Sequence, residues 1–68
     1  MINTKLLKVK IFAAGLSQRQ IASKMGRSPV YVNATINNKR DATLEDVDVL
    51  CNILDIEDPI EKCAIFLA

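Results

Sequence analysis

Helix-start and helix-stop residues punctuate this chain so densely that its 68 positions have room for little except short helices. Ser, Thr, Asn and Asp at a helix entrance accept the free amides of the first turn. Proline fits the first helical position, where an amide would lack a partner anyway. Gly and Asn tolerate the left-handed backbone that ends a helix. Read this way, the first helix runs from Thr4 to Ala14 after a cap at Asn3 or Thr4, and Gly15 ends it. Leu7, Ile11 and Ala14 fall on one face of it. Ser17 caps a second helix, Gln18 to Met25, with Ile21, Ala22 and Met25 inside and Gly26 as the break. Ser28 and Pro29 open a third, which ends at Ile36 or Asn37 before Asn38 and turns Val32 and Ile36 inward. Thr43 caps a fourth, with Asp46 at the third position, Glu45 favoured by the helix dipole, and Leu44, Val47, Leu50, Cys51 and Leu54 as the buried stripe. Asp58 and Pro59 open a fifth, with Glu61 closing a capping box. Its inner face is expected to hold Ile60, Cys63, Ala64 and Leu67, with Ile65 and Phe66 elsewhere. No stretch alternates with period two for long enough to make a strand. The expected fold is all-α, a compact bundle of about five short helices forming one domain over residues 1–68.

A domain this small needs added support, from disulfides, a metal, a partner subunit or tight helix packing. Cys51 and Cys63 are the only cysteines and histidine is absent. A structural zinc draws about four ligands, chiefly from Cys and His, so no metal is expected. One cysteine pair without a secretory signal does not make a disulfide framework, and both thiols are expected as small buried apolar groups. No apolar run approaches the ~20 residues that span a bilayer, so no membrane partner is expected. With no histidine and no Gly-rich phosphate loop, the chain lacks the usual means of catalysis; no enzyme activity, cofactor or small-molecule ligand is expected. The expected compartment is a reducing cytoplasm, at the nucleoid.

The charges are segregated. Lys5, Lys8, Lys10, Arg19, Lys24, Arg27, Lys39 and Arg40 give residues 1–40 a local charge of +8 with no acidic residue. All eight acidic residues follow, from Asp41 to Glu61, against the single Lys62. A net charge of +1 conceals a half-molecule built for a polyanion. Lys5, Lys8 and Lys10 read as a solvated helix face acting at long range.

Within the basic half, residues 18–37 meet the requirements of two helices crossing steeply over a tight turn. Ala22 is the small residue where they approach, Gly26 supplies the permissive backbone, and Ile21, Met25 and Val32 form the wedge between them. With Gly15-Leu16-Ser17-Gln18, Ile21-Ala22, Gly26, and Asn37-Asn38-Lys39-Arg40 before Leu44, the chain resembles the phage lambda-repressor and Cro-like (XRE-like) helix-turn-helix domains over roughly Leu7 to Ile56. It departs from that pattern at Thr35, where Val, Ile or Leu is usual, and at Ala42, where Pro is common.

The resemblance implies double-stranded DNA as partner, with the third helix entering the major groove by its N-terminal end. By matched position the base-facing residues are Ser28, Pro29, Val30, Asn33 and Ala34. The apolar members suit thymine methyl groups and Asn33 suits adenine, so DNA shape is expected to carry part of the specificity. Phosphate contacts are expected from Gln18, Arg19, Arg27, Tyr31, Asn37, Lys39 and Arg40. In the fifth segment, residues 58–67, and the turn before it, Ile56, Ile60, Phe66 and Leu67 offer more apolar area than a terminal helix of a monomer needs. They are expected to form a homodimer contact suited to a palindromic operator. The expected function is a Cro-like transcriptional regulator blocking polymerase by operator occupancy, with activation through the acidic face open. The rival is a protein-interaction module on the same fold, an antirepressor or antitoxin, favoured by the apolar Pro29, Val30 and Ala34.

Overall fold

Local capping chemistry sets where each helix begins. In a computed structural model that describes residues 1–68, α1 spans Thr4–Ala13, α2 Gln18–Met25, α3 Pro29–Ile36, α4 Leu44–Ile53 and α5 Pro59–Phe66, with no strand. The side chains of Asn3, Ser17, Ser28 and Thr43 accept from the amides of Leu6, Gln20, Tyr31 and Asp46. At α2 and α4 the box closes, as Gln20 and Asp46 accept in return from the amides of Ser17 and Thr43. The capping box expected at α5 does not form. Asp58 instead accepts from the Ile60 amide at 2.9 Å, and Glu61 reaches across to Lys10 of α1 at 2.8 Å.

The stops are left-handed residues, Gly15 at φ +71° and Gly26 at +69°. Asn38, at φ +58°, ends the turn after α3. Its side chain also holds both sides of one peptide unit near the chain start. Asn38 Oδ1 accepts from the Ile2 N–H at 2.9 Å and Nδ2 donates to the Ile2 carbonyl at 2.7 Å. Beside it the Thr4 hydroxyl donates to the Ile36 carbonyl at 3.0 Å. The first residues of the chain are thereby fastened to the end of α3.

One continuous core joins all five helices. Leu7, Ile21, Val32, Ile36, Leu50 and Ile65 lie at its centre, and Ile2 and Ile56 enter it from the connections. α3 rests on α2, and α4 closes the other side of α2. Several expected core positions differ. Ala14 is exposed, one turn beyond Ile11. Leu44 is 86% exposed, because α4 turns Asp46 inward instead.

The face of α5 is reversed. Ile65 and Phe66 are buried, while Ile60, Cys63, Ala64 and Leu67 point outward. The two ends of the chain fix this rotation: the Asn3 amide donates to the Ile65 carbonyl at 2.6 Å and the Ala68 amide to the Met1 carbonyl at 3.1 Å. Cys51 is buried as expected and Cys63 is not.

Candidate nucleic-acid interface

The sequence of α3 divides its surface cleanly. Val32, Thr35 and Ile36 are buried, so the opposite side must face out. There Ser28, Pro29, Val30 and Asn33 are exposed, Val30 at 79%, and Ala34 is half-buried. The left-handed turn at Gly26 brings the N-terminal ends of α2 and α3 to one surface. Asn33 Nδ2 there donates to Gln18 Oε1 at 3.1 Å. This single bond fixes the use of both amides. Asn33 keeps an acceptor and one N–H, the complement of adenine's N6 amino group and N7 acceptor. Gln18 keeps both of its N–H donors for a phosphate oxygen.

The cations sort into free and committed. Arg19, Arg27 and Lys39 are exposed and without a carboxylate partner. Lys10 is paired with Glu61, and Arg40 with Asp46 at 3.0 Å. Of the eight basic residues up to Arg40, six remain unpaired. Asn37 donates through its amide to the Asn33 carbonyl at 2.9 Å, which closes the last turn of α3.

Arg40, Asp46, Tyr31, Thr35 and Thr43 form a connected polar group between α3 and α4. Asp46, only 2% exposed, accepts from the Tyr31 hydroxyl at 2.9 Å, from Arg40 Nη1 at 3.0 Å and from the Thr43 amide at 3.0 Å. The same Arg40 nitrogen donates to Thr35 Oγ1 at 2.8 Å, and that hydroxyl donates to the Tyr31 carbonyl. No buried side-chain polar atom of the group, or of the protein, lacks a partner. Burial alone would raise the Asp46 carboxyl. The donors from Thr43, Arg40 and Tyr31 outweigh it and hold the group below the usual aspartate range. The bond to Asp46 in turn raises Arg40 above the usual arginine value. The guanidinium carbons of both Arg27 and Arg40 lie over the Tyr31 ring, at 4.7 and 4.0 Å from its centre.

Asp46 is legible in the sequence as a cap, but its bonds to Tyr31 and Arg40 come from other elements and leave no mark in the local pattern. Thr35, where the family pattern favours an aliphatic residue, is explained by this group: its hydroxyl is the link between Arg40 and the α3 backbone. The dimer set also divides. Ile60 and Leu67 are exposed at 80% and 75%. Ile56 and Phe66 are buried in the protein's own core and have no surface to offer a second chain. Cys63 and Ala64, expected inside, take their place on the outward stripe of α5.

No three metal-binding side chains gather anywhere in the structure, and no helix is long and apolar enough to cross a membrane. The family model for helix-turn-helix domains matches residues 6–59, from α1 to the first residue of α5. No curated protein and no solved structure matches the chain.

Proposed function

Because the chain belongs to the helix-turn-helix family of the lambda-repressor type, whose members are DNA-binding transcription regulators, we propose that it is a Cro-like repressor acting by operator occupancy. The observation that carries this reading is the outward face of α3, joined to α2 through the Asn33–Gln18 hydrogen bond. In the bound state Asn33 reads adenine in the major groove while Gln18 holds the adjacent phosphate, so base and backbone recognition share one geometry. Val30 and Pro29 pack against thymine methyl groups. Arg19, Arg27 and Lys39 neutralise phosphates on either side of the groove. The acidic residues of α4 and α5 keep the opposite surface off the duplex.

The repressor is a homodimer in this reading. α5 is apolar on two sides: Ile65 and Phe66 enter the core, and Ile60, Cys63, Ala64 and Leu67 form a second stripe exposed to water. Packing that stripe against its copy removes it from water and sets two α3 helices about one duplex turn apart, ~34 Å, over a palindromic operator. Blocking polymerase needs nothing beyond occupancy.

Binding to mixed-sequence duplex DNA as a function of salt tests the proposal. A dimer neutralising about six phosphates gives log K against log salt a slope near −5. Asn33→Ala is expected to abolish preference at one operator position while non-specific binding persists. Equal loss on all DNA removes Asn33 from base reading, and no binding at low salt removes the repressor. That last result favours the protein-interaction module on the same fold, whose one supporting observation is the exposed apolar pair Pro29 and Val30.

A further inference from the structure

Tyr31 occupies the edge of the candidate interface and carries a hydroxyl suited to phosphate, yet that hydroxyl already donates to both oxygens of Asp46, at 2.9 Å each. A donor directed at a buried carboxylate is not free for DNA. What Tyr31 presents to the surface is its ring, and two guanidinium groups lie over it. The two differ in kind. Arg40 is fixed from behind by Asp46 and Thr35. Arg27 sits in the turn just before Ser28 and is exposed, and its guanidinium has no hydrogen-bonded or ionic partner; what it lies over is the Tyr31 ring, 4.7 Å away.

We propose that Tyr31 is a positioning residue rather than a DNA ligand: held by Asp46, its ring orders the Arg27 guanidinium at the N-terminal end of α3, where Arg27 takes the phosphate. This rests on the DNA-binding reading and adds a division of labour within it. Asp46 fixes the phenol, the phenol carries the guanidinium on its π face, and Arg27 arrives at the duplex with part of its side-chain freedom already removed. Arg40 belongs to the support, since its charge is matched by Asp46.

The test is a double-mutant cycle on duplex binding at low salt, using the full chain, with far-ultraviolet circular dichroism confirming that each variant is folded at the assay temperature. Tyr31→Leu removes the ring and is expected to weaken binding about two- to fivefold, the fold-change matching an exposed cation–π contact. In an Arg27→Ala background the same change is expected to have no effect. Tyr31→Phe keeps the ring and is expected to bind within twofold of wild type. Arg27→Lys keeps the charge and part of the cation–π attraction without the planar stack, and is expected to bind between wild type and Arg27→Ala, with a smaller response to Tyr31→Leu than wild type shows. If Tyr31→Phe weakens binding independently of Arg27, the hydroxyl touches DNA and the proposal fails. If Tyr31→Leu weakens binding equally with Arg27 or Ala at position 27, the ring acts only through the fold and the proposal fails. It fails also if Arg27→Ala leaves binding unchanged. Absence of binding by the wild-type chain is a separate result, which removes the DNA-binding reading itself.

Discussion

Asp46 offers the sharpest test of how α3 is supported. Its carboxylate is 2% exposed and serves three donors: the Tyr31 hydroxyl, Arg40 Nη1 and the Thr43 amide. Asp46→Ala leaves all three without their acceptor. An unmatched buried polar group costs about 1–3 kcal/mol, and removing one partner of a buried ion pair costs about 3–5 kcal/mol in total. Tyr31 and Arg40 are only partly buried and can turn to water, so the expected loss is at the lower end, about 3 kcal/mol. A domain of this size has roughly 3–10 kcal/mol to lose, so the variant should give up about a third or more of its stability at 25 °C.

Asp46→Asn separates charge from geometry. The amide oxygen can take the position that accepts from Arg40 and Thr43, and the amide nitrogen can donate to the Tyr31 oxygen in its acceptor role. Charge assistance disappears and the second amide N–H has no acceptor among these partners, for about 1–2 kcal/mol, at roughly 4–8 °C in Tm per kcal/mol. The carboxyl is held below its ordinary value in the folded state. Its contribution is therefore complete above the unfolded pKa of about 3.9 and disappears as pH falls through the lower folded value. Urea unfolding followed by circular dichroism between pH 7 and pH 2.5 should show a constant gap between wild type and Asp46→Asn down to about pH 5. The gap should narrow below about pH 4. An Asp46→Ala variant within about 0.5 kcal/mol of wild type, or a gap that does not change with acid, would refute this account of the polar group.

Three further outcomes follow from particular contacts. Asn38→Gly keeps the left-handed backbone but loses both hydrogen bonds to Ile2; a loss of about 1–2 kcal/mol and faster hydrogen exchange at the Ile2 and Asn3 amides are expected. Gly26→Ala places a Cβ in open space at φ +69°, so its cost is backbone strain alone, about 1–2 kcal/mol, read as a lowered urea midpoint with unchanged slope. Leu67→Asp and Ile60→Asp alter residues that are 75% and 80% exposed, and should leave monomer stability within about 0.5 kcal/mol of wild type. By sedimentation these two variants should nevertheless remain monomeric at concentrations where the wild type is dimeric; a wild type that sediments as a monomer at every concentration up to millimolar removes the dimer.

Capping explains why so much of the fold could be read from the chain. Ser17, Ser28 and Thr43 act on amides three residues away, so their chemistry is complete within a single turn and needs no tertiary partner. The outward face of α3 was legible for a related reason: Val32 and Ile36 mark its buried side, and Pro29, Val30 and Asn33 are what remains. The polar group around Asp46 was not legible. Its Tyr31 donor is 15 residues away in sequence, and nothing in the spacing of either helix encodes that they meet. Tyr31 therefore read as a phosphate ligand when its hydroxyl is directed at a carboxylate.

The rotation of α5 illustrates a different limit. Periodicity identifies the stripe Ile60, Cys63, Ala64 and Leu67, but α5 has a second apolar side, the adjacent pair Ile65 and Phe66, which helical spacing does not mark. Hydrophobicity cannot rank them, because either one buries well. The choice is made by backbone hydrogen bonds from the opposite end of the chain, Asn3 to Ile65 and Ala68 to Met1. Those bonds pull the Ile65 side into the core and leave Ile60, Cys63, Ala64 and Leu67 in water. An expectation that fails in this way is still informative. A terminal helix in a small domain needs one apolar side for its own fold, and polar substitutions on the other side would cost it little. The outward side of α5 nonetheless carries no charge between Ile60 and Leu67, although Glu61 and Lys62 show that charge is accepted elsewhere on the helix. The surplus apolar stripe is thus the strongest reason to expect a second copy; Ile60 and Leu67 were legible as a dimer contact in the sequence, whereas Cys63 and Ala64 were legible only as core.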